Sequence, residues 1–457
     1  MRRGDKRMDK TELFEKTSPG KALAVMAAPT IASQLVVLAY NLADTWFVGR
    51  TNNPYMIAAS SLTATIYFVV VALANVFGVG GGSLMVRLLG EKNTKDAKEV
   101  ASYSFSICAI ATLVFSLCVL IFMDPLLRLI GASDNTFLYA KQYIFTTTVL
   151  GGIPTALSMF MPQLLRNSGY SKEAGFGVGL GSVLNIGLDP LFMFVLLPAG
   201  NEVLGAGIAT LLSNVISFLY FIIMFRKLRK DTVLTLPTRL VRIPGDYLRS
   251  LYSVGIPAAV AIFLYDLVTM VLNRLSASYG DITLAAMGIV LRLERIPINT
   301  GLGICLGMVP LIAYNFGARN YTRMKRISTL SQVAVVTFSC ICMVLFWFFS
   351  EPIVAAFISD EATVSQGIAI LRGRCFGLPF MMLGYQVVNY MNAIGQGKPS
   401  FLMAIVRHLV LIIPAAILMN HFLGLNGLIW SQPLADVINT AISMILFVKV
   451  SALLWRH

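Results

Sequence analysis

Apolar residues gather into twelve long segments, roughly 22–47, 55–86, 99–122, 138–164, 173–197, 204–225, 251–278, 282–313, 327–349, 364–394, 400–420 and 427–450. Each can carry a helix across a hydrocarbon layer, which takes about 20 residues. The period-two alternation that marks barrel strands is absent. The pattern therefore predicts an all-α integral membrane protein with twelve transmembrane helices. Polar stretches divide it into an N-terminal segment (1–21), a first six-helix bundle (22–225), a connection (226–250), a second six-helix bundle (251–450) and a short C-terminal segment (451–457).

The basic residues give this pattern an orientation. With the N-terminus on the cytoplasmic side, most of the 36 Lys and Arg fall on that side, including Arg2, Arg3, Arg87, Lys92, Arg166, Arg226, Arg229, Arg323 and Arg326. The outside loops hold only Arg50, Arg128 and Lys141. That bias is the positive-inside signature. It predicts cytoplasmic termini and a basic cytoplasmic connection at 226–250, in a multi-pass protein of the cell membrane. The first twenty-one residues are polar and charged, unlike a cleavable signal peptide, so the first apolar segment is expected to serve as the insertion signal.

The chain also repeats itself. Displaced by about 227 residues, Gly80 meets Gly307, Asp124-Pro125 meets Glu351-Pro352 and, one residue off, Pro29 meets Pro257. Gly90-Glu-Lys-Asn93 falls on Gly317-Ala-Arg-Asn320, and 166–172 falls near 391–398. Each half holds an even number of spans, so both enter the membrane in the same sense. This predicts two parallel bundles related by a pseudo-two-fold axis along the membrane normal, with a cavity between them.

Composition agrees. The chain is 57% hydrophobic and 13% charged, against about 25% charged in soluble proteins. The net charge of +14 follows from orientation and contact with anionic lipid rather than from nucleic-acid binding. Cys108, Cys118, Cys305, Cys340, Cys342 and Cys375 sit in apolar segments without metal or disulfide spacing and read as buried small hydrophobes. The closest approach to a phosphate loop, Gly395-Gln-Gly-Lys-Pro-Ser400, has Pro399 where Ser or Thr should follow the lysine. Glycine pairs 175/179 and 177/181 have the small-xxx-small spacing of helix contacts. Enzyme chemistry has no visible constellation, and His408 has no serine partner. Work by this chain is expected to draw on an ion gradient.

Acids within spans are expensive and therefore functional candidates. Asp44 ends the first span, with Tyr40 and Asn41 one turn earlier. In Asn185-Ile-Gly-Leu-Asp189-Pro190 the amide and the acid share a helix face, and Pro190 removes a backbone donor beside them. Two carboxylates, an amide and a loosened backbone suit a hard monovalent cation or a shared proton. The offset maps Asp44 onto Val271 or Leu272 and Asp189 near Ile413, so the site is expected in the first half alone. The second half has Asp266 as a candidate substrate counter-charge, and Arg292, Glu294 and Arg295 as a polar cluster, with Arg407 and Asp436 further on. The 21 Met and 28 Phe would suit a cavity for lipophilic cations.

These motifs resemble the MATE (multidrug and toxic compound extrusion) family, in its MepA-like and DinF-like bacterial branch, over about 20–450. The resemblance rests on Ala28-Pro29, Tyr40-Asn-Leu-Ala-Asp-Thr-Trp-Phe-Val-Gly49, Gly78-Val-Gly80, Arg166-Asn-Ser-Gly169, Asn185-Ile-Gly-Leu-Asp-Pro190, Gly205-Ala-Gly-Ile-Ala-Thr210, Gly255-Ile-Pro257 and Val309-Pro-Leu-Ile-Ala-Tyr-Asn-Phe-Gly317. It implies an antiporter that expels organic cations in exchange for Na⁺ or H⁺ by alternating access. The implied coupling positions are Asp44, Asn185, Asp189 and Thr210, with Tyr143. NorM-like members carry acids in the seventh and tenth spans; Asp266 lies near the first of these, but the tenth span here has none. No cofactor and no metal beyond a coupling Na⁺ is expected. The expected partners are organic cations and membrane lipids, with no obligate protein partner. The rival reading is a lipid-linked oligosaccharide or lipid flippase, which would favour a basic cavity for pyrophosphate, and Arg292, Arg295 and Arg407 leave room for one.

Overall fold

The computed structural model describes residues 10–51, 53–237 and 239–455. Of the predicted terminal segments, residues 1–9 and 456–457 lie outside the described residues. Every regular element among the described residues is helical. Nine helices are long and apolar enough to cross a membrane, and two pairs bent by 54° and 48° raise the number to eleven. The last of the nine, Gly397–Ala452, is broken at Gly424, where φ is 60° and ψ −143°. Only glycine adopts that conformation without strain. Its two arms counted separately give the twelve spans that the hydrophobic pattern predicts.

Spans 1 to 3 are Pro19–Gly49, Pro54–Gly90 and Thr94–Ile121. Span 4 is the bent pair Asp134–Leu150 and Gly152–Asn167, followed by spans 5 and 6, Ser171–Leu196 and Glu202–Leu228. Spans 7 to 9 are Gly245–Ala277, Asp281–Gly317 and Tyr321–Phe348. Span 10 is the bent pair Glu361–Cys375 and Leu378–Ala393, and spans 11 and 12 are the arms on either side of Gly424. The connection expected at 226–250 is helical at both ends, which leaves 229–244 between spans 6 and 7.

Several helices start earlier than their apolar segments because polar residues cap them. The Asn93 side chain accepts from the Asp96 amide at 3.2 Å at the head of span 3. Asn320 does the same for the Arg323 amide, at 3.1 Å, at the head of span 9. A cap of this kind satisfies an amide that the first helical turn leaves open. Lys92 and Arg319, just before these caps, both have positive φ, 62° and 56°. The internal repeat is thus visible in backbone detail.

By its contacts the chain divides into two compact units, Ala32–Ala259 and a second made of residues up to Ile31 with those from Val260 onward. The division falls inside spans 1 and 7. Glycines explain why. In the first unit, a Cβ on Gly80 would overlap the Leu251 carbonyl oxygen, and one on Gly255 would overlap that of Val76. In the second, a Cβ on Gly307 would lie 2.6 Å from Ala27 Cα, and one on Gly303 2.7 Å from Ile31 Cα. Spans 2 and 8 therefore each cross the first part of span 7 or span 1 with backbones in contact, as small residues allow.

The polarity of a soluble protein is inverted. Val195, Phe348 and Phe422 are 72%, 71% and 77% exposed, while Asp189 and Arg374 are buried. Such an outward apolar surface faces lipid. Cys108, Cys305 and Cys375 are buried as expected, but Cys118 is exposed, because one face of an apolar span must meet lipid. Gly177 and Gly181 pack on span 6, against Phe221 and Ser217, whereas Gly179 faces open space.

Candidate functional site

The first unit gathers acids, amides and hydroxyls from spans 1, 2, 4, 5 and 6. Asp189 is completely buried, and Asn185 and Thr210 nearly so. In the amide orientation that satisfies both neighbours, Asn185 Nδ2 donates to Asp189 Oδ2 at 3.0 Å and Asn185 Oδ1 accepts from the Thr210 amide at 3.2 Å. Asp189, Tyr40, Tyr67 and Tyr143 each lie within electrostatic range of Asp44. Tyr143 also reaches Thr210 across spans 4 and 6.

Local irregularities place these groups. Pro190 cannot donate to the carbonyl four residues earlier, so Ile186 loses its helical donor beside Asp189. The helix then widens into a π segment at Phe192–Leu196, a form that recurs at functional sites. A second π segment, Phe145–Leu150, follows Tyr143. There Thr146 and Thr147 hydroxyls donate to the Tyr143 carbonyl at 3.0 and 2.7 Å. Gly207 lets span 6 approach, since a Cβ there would overlap Thr146 Oγ1.

The two carboxylates are short of donors. Asp44 Oδ1 and Asp189 Oδ1 are both buried without a hydrogen-bond partner. Among the described residues, neither acid forms a salt bridge. An ionised carboxylate in that setting is costly unless a cation or a proton joins it. The ligand set is oxygen-rich, which suits a hard monovalent cation or H⁺ and not a soft metal.

Not every expected residue converges there. Asn41 is exposed, and its carbonyl accepts from Thr45 Oγ1 at 2.8 Å. The structure adds Tyr67, Asn214 and Thr155, which the sequence reading did not single out. Asn214 Nδ2 donates to Thr155 Oγ1 at 3.0 Å, and Asn214 lies against Tyr67. The available signal was an amide inside an apolar span, the same signal that marks Asn185.

The second unit has a polar core of its own, with different pairing from the sequence pattern. Glu294 turns away from Arg292 and Arg295, since residues one and two apart do not share a helix face. It binds Arg374 in a fork, Nε to Oε1 and Nη2 to Oε2, both at 2.8 Å. Arg407 Nε donates to Asp436 Oδ1 at 2.8 Å, and its Nη1 donates to Tyr385 Oη at 3.0 Å. Arg407 and His408 lie in another π segment, Val406–Ile412. Arg292 is exposed, and Arg295 lies 6.0 Å from the Tyr265 ring centre and within electrostatic range of half-buried Asp266.

A family model described as MatE matches residues 29–191 and again 257–418, one copy in each half. The chain is 32% identical over 433 residues to "Multidrug export protein MepA" of Staphylococcus saprophyticus, covering 95% of this chain and 94% of that protein. It is 31% identical, with the same coverage, to the MepA protein of Staphylococcus aureus. Among solved structures, a MATE protein crystallised in complex with MaL6 superposes with a TM-score of 0.92 at 23% identity, over 98% of this chain and all of that one.

Proposed function

Because the chain belongs to the MATE family, we propose that it is a secondary antiporter that exports lipophilic organic cations in exchange for Na⁺ or H⁺. The relatives named as multidrug export proteins support the substrate class. The observation that carries the coupling is the pair of buried carboxylate oxygens, Asp44 Oδ1 and Asp189 Oδ1, that lack a donor. The site's negative charge must be met by an ion, a proton or a cationic drug, but not by all at once. That competition is the differential affinity an exchanger needs. Loading of Asp44 and Asp189 would change how the kinked fifth span packs on spans 1 and 6, and the two six-helix halves would then alternate access.

The protein would sit in the cell membrane with both termini cytoplasmic, as the basic residues predict. A flippase for lipid-linked sugars would need free positive charge for a pyrophosphate. Of the arginines that could supply it, Arg407 is committed to Asp436, which weighs against it.

The test is equilibrium binding of tetraphenylphosphonium to purified protein, titrated with Na⁺ and with H⁺. Competition by one of them, abolished in Asp44→Asn and Asp189→Asn, supports the reading and names the ion. Binding that ignores both ions, or competition that survives in both variants, refutes it.

A further inference from the structure

The second polar core occupies the place that the coupling site occupies in the first unit. At the displacement that superposes Asn93 on Asn320, Tyr67 falls on Glu294. At that of Pro29 and Pro257, Asp44 falls on Leu272. Glu294 and Leu272 line one small cavity, together with Arg374, Arg407, His408 and Gln432. So the repeat has put polar clusters at corresponding positions of the two halves and paired them differently.

In the first cluster, among the described residues, two acids stand without a salt-bridge partner. In the second, two acids meet two guanidinium groups, and all four side chains are buried, with Glu294, Arg374, Arg407 and Asp436 no more than 5% exposed. His408 adds no cation. Its Nε2 faces Arg407 Nη1 at 3.0 Å and must accept, because arginine only donates, and its Nδ1 then donates to the Ala404 carbonyl at 2.8 Å. The core is thus electrically balanced, and the space left is about 10 Å³, about that of one water-sized probe.

We propose that the second core is a cation site permanently occupied by the chain's own arginines, so that only the first unit exchanges a mobile ion. The native occupants are the tethered guanidinium groups of Arg374 and Arg407, and the class of ligand the pocket accepts is a small planar monovalent cation. The inference rests on the reading of Asp44 and Asp189 as the ion-loading site. It adds the reason the second half needs no mobile ion: its two acids are already met by tethered guanidinium groups.

Arg407→Ala tests it. The substitution leaves Asp436 buried without its partner and opens a pocket shaped for guanidinium. The melting temperature of the purified variant should fall, and millimolar guanidinium chloride should restore more than half of the loss, whereas choline chloride at equal ionic strength should restore none. Wild type and Arg407→Ala/Asp436→Ala should not respond. If Arg407→Ala does not fold, the double variant should still be recovered, because it leaves no unpaired acid. A single variant that ignores guanidinium, a double variant that responds equally, or a double variant recovered no better than a non-folding single overturns the proposal. The response should persist with Asp189→Asn added, and its loss there would place guanidinium in the first site and overturn the proposal. Failure of the coupling reading itself would appear separately, as wild-type ion competition that Asp189→Asn does not change.

Discussion

Asn185 Nδ2 donates to Asp189 Oδ2 at 3.0 Å, while Asp189 Oδ1, equally enclosed, has no donor at all. One helical turn separates the two residues, so the amide fixes the acid's rotamer and leaves one oxygen free for an ion. Spans 5 and 6 are joined at the same point, through the Thr210 amide.

Asn185→Ala should therefore alter coupling without abolishing transport. A hydrogen bond to a charged group is worth about 1.5–3 kcal/mol, and 1.4 kcal/mol is about tenfold in affinity. Without its donor, the carboxylate holds its counter-ion more tightly. Half-maximal stimulation of efflux should move to an ion concentration lower by about tenfold or more, with slower turnover. Titration of efflux rate against the coupling ion checks this, and an unchanged midpoint speaks against the amide's role.

Glu294→Gln should act in the opposite way. Breaking a buried ion pair by removing one partner costs about 3–5 kcal/mol, here because Arg374 keeps its charge without the fork that neutralises it. Thermal melting should show a large loss of stability. Efflux per folded molecule should keep its ion dependence, since Glu294 belongs to the self-neutralised core. A stable variant with altered ion dependence would move coupling into the second unit.

Gly177 and Gly179 lie two residues apart and should respond differently. A Cβ on Gly177 would overlap the Phe221 ring, and one on Gly179 meets nothing within 4 Å. Gly177→Ala should cost about 1–3 kcal/mol through overpacking. Gly179→Ala should be neutral or stabilising by up to about 1 kcal/mol, from helix propensity. Melting temperatures of the two variants in one detergent make the comparison.

The spans were legible because every backbone group in lipid must be bonded internally, which turns apolar length directly into helix. The repeat was legible for a similar reason: caps and close crossings need particular residues, so Asn93 and Asn320 recur, as do Gly80 and Gly307. The pairing of Asn185 with Asp189 could be read because residues four apart share a helix face. The partner of Glu294 could not be read. Arg374 lies 80 residues away, whereas Arg292 and Arg295, adjacent in the chain, do not share the helix face of Glu294. The division inside spans 1 and 7 was hidden too, since hydrophobic pattern does not tell which bundle a helix end packs against. Nor did spacing distinguish Gly179 from Gly177, because which side of span 5 meets span 6 is a tertiary fact.

The most direct test of the coupling site is ethidium efflux from proteoliposomes under an imposed Na⁺ or H⁺ gradient, for wild type and Asp189→Asn. The account predicts efflux driven by one gradient in the wild type and lost in the variant, with the variant still folded. Gradient-driven efflux that survives in Asp189→Asn would contradict it and move the coupling charge to Asp266 or Glu294 in the second unit.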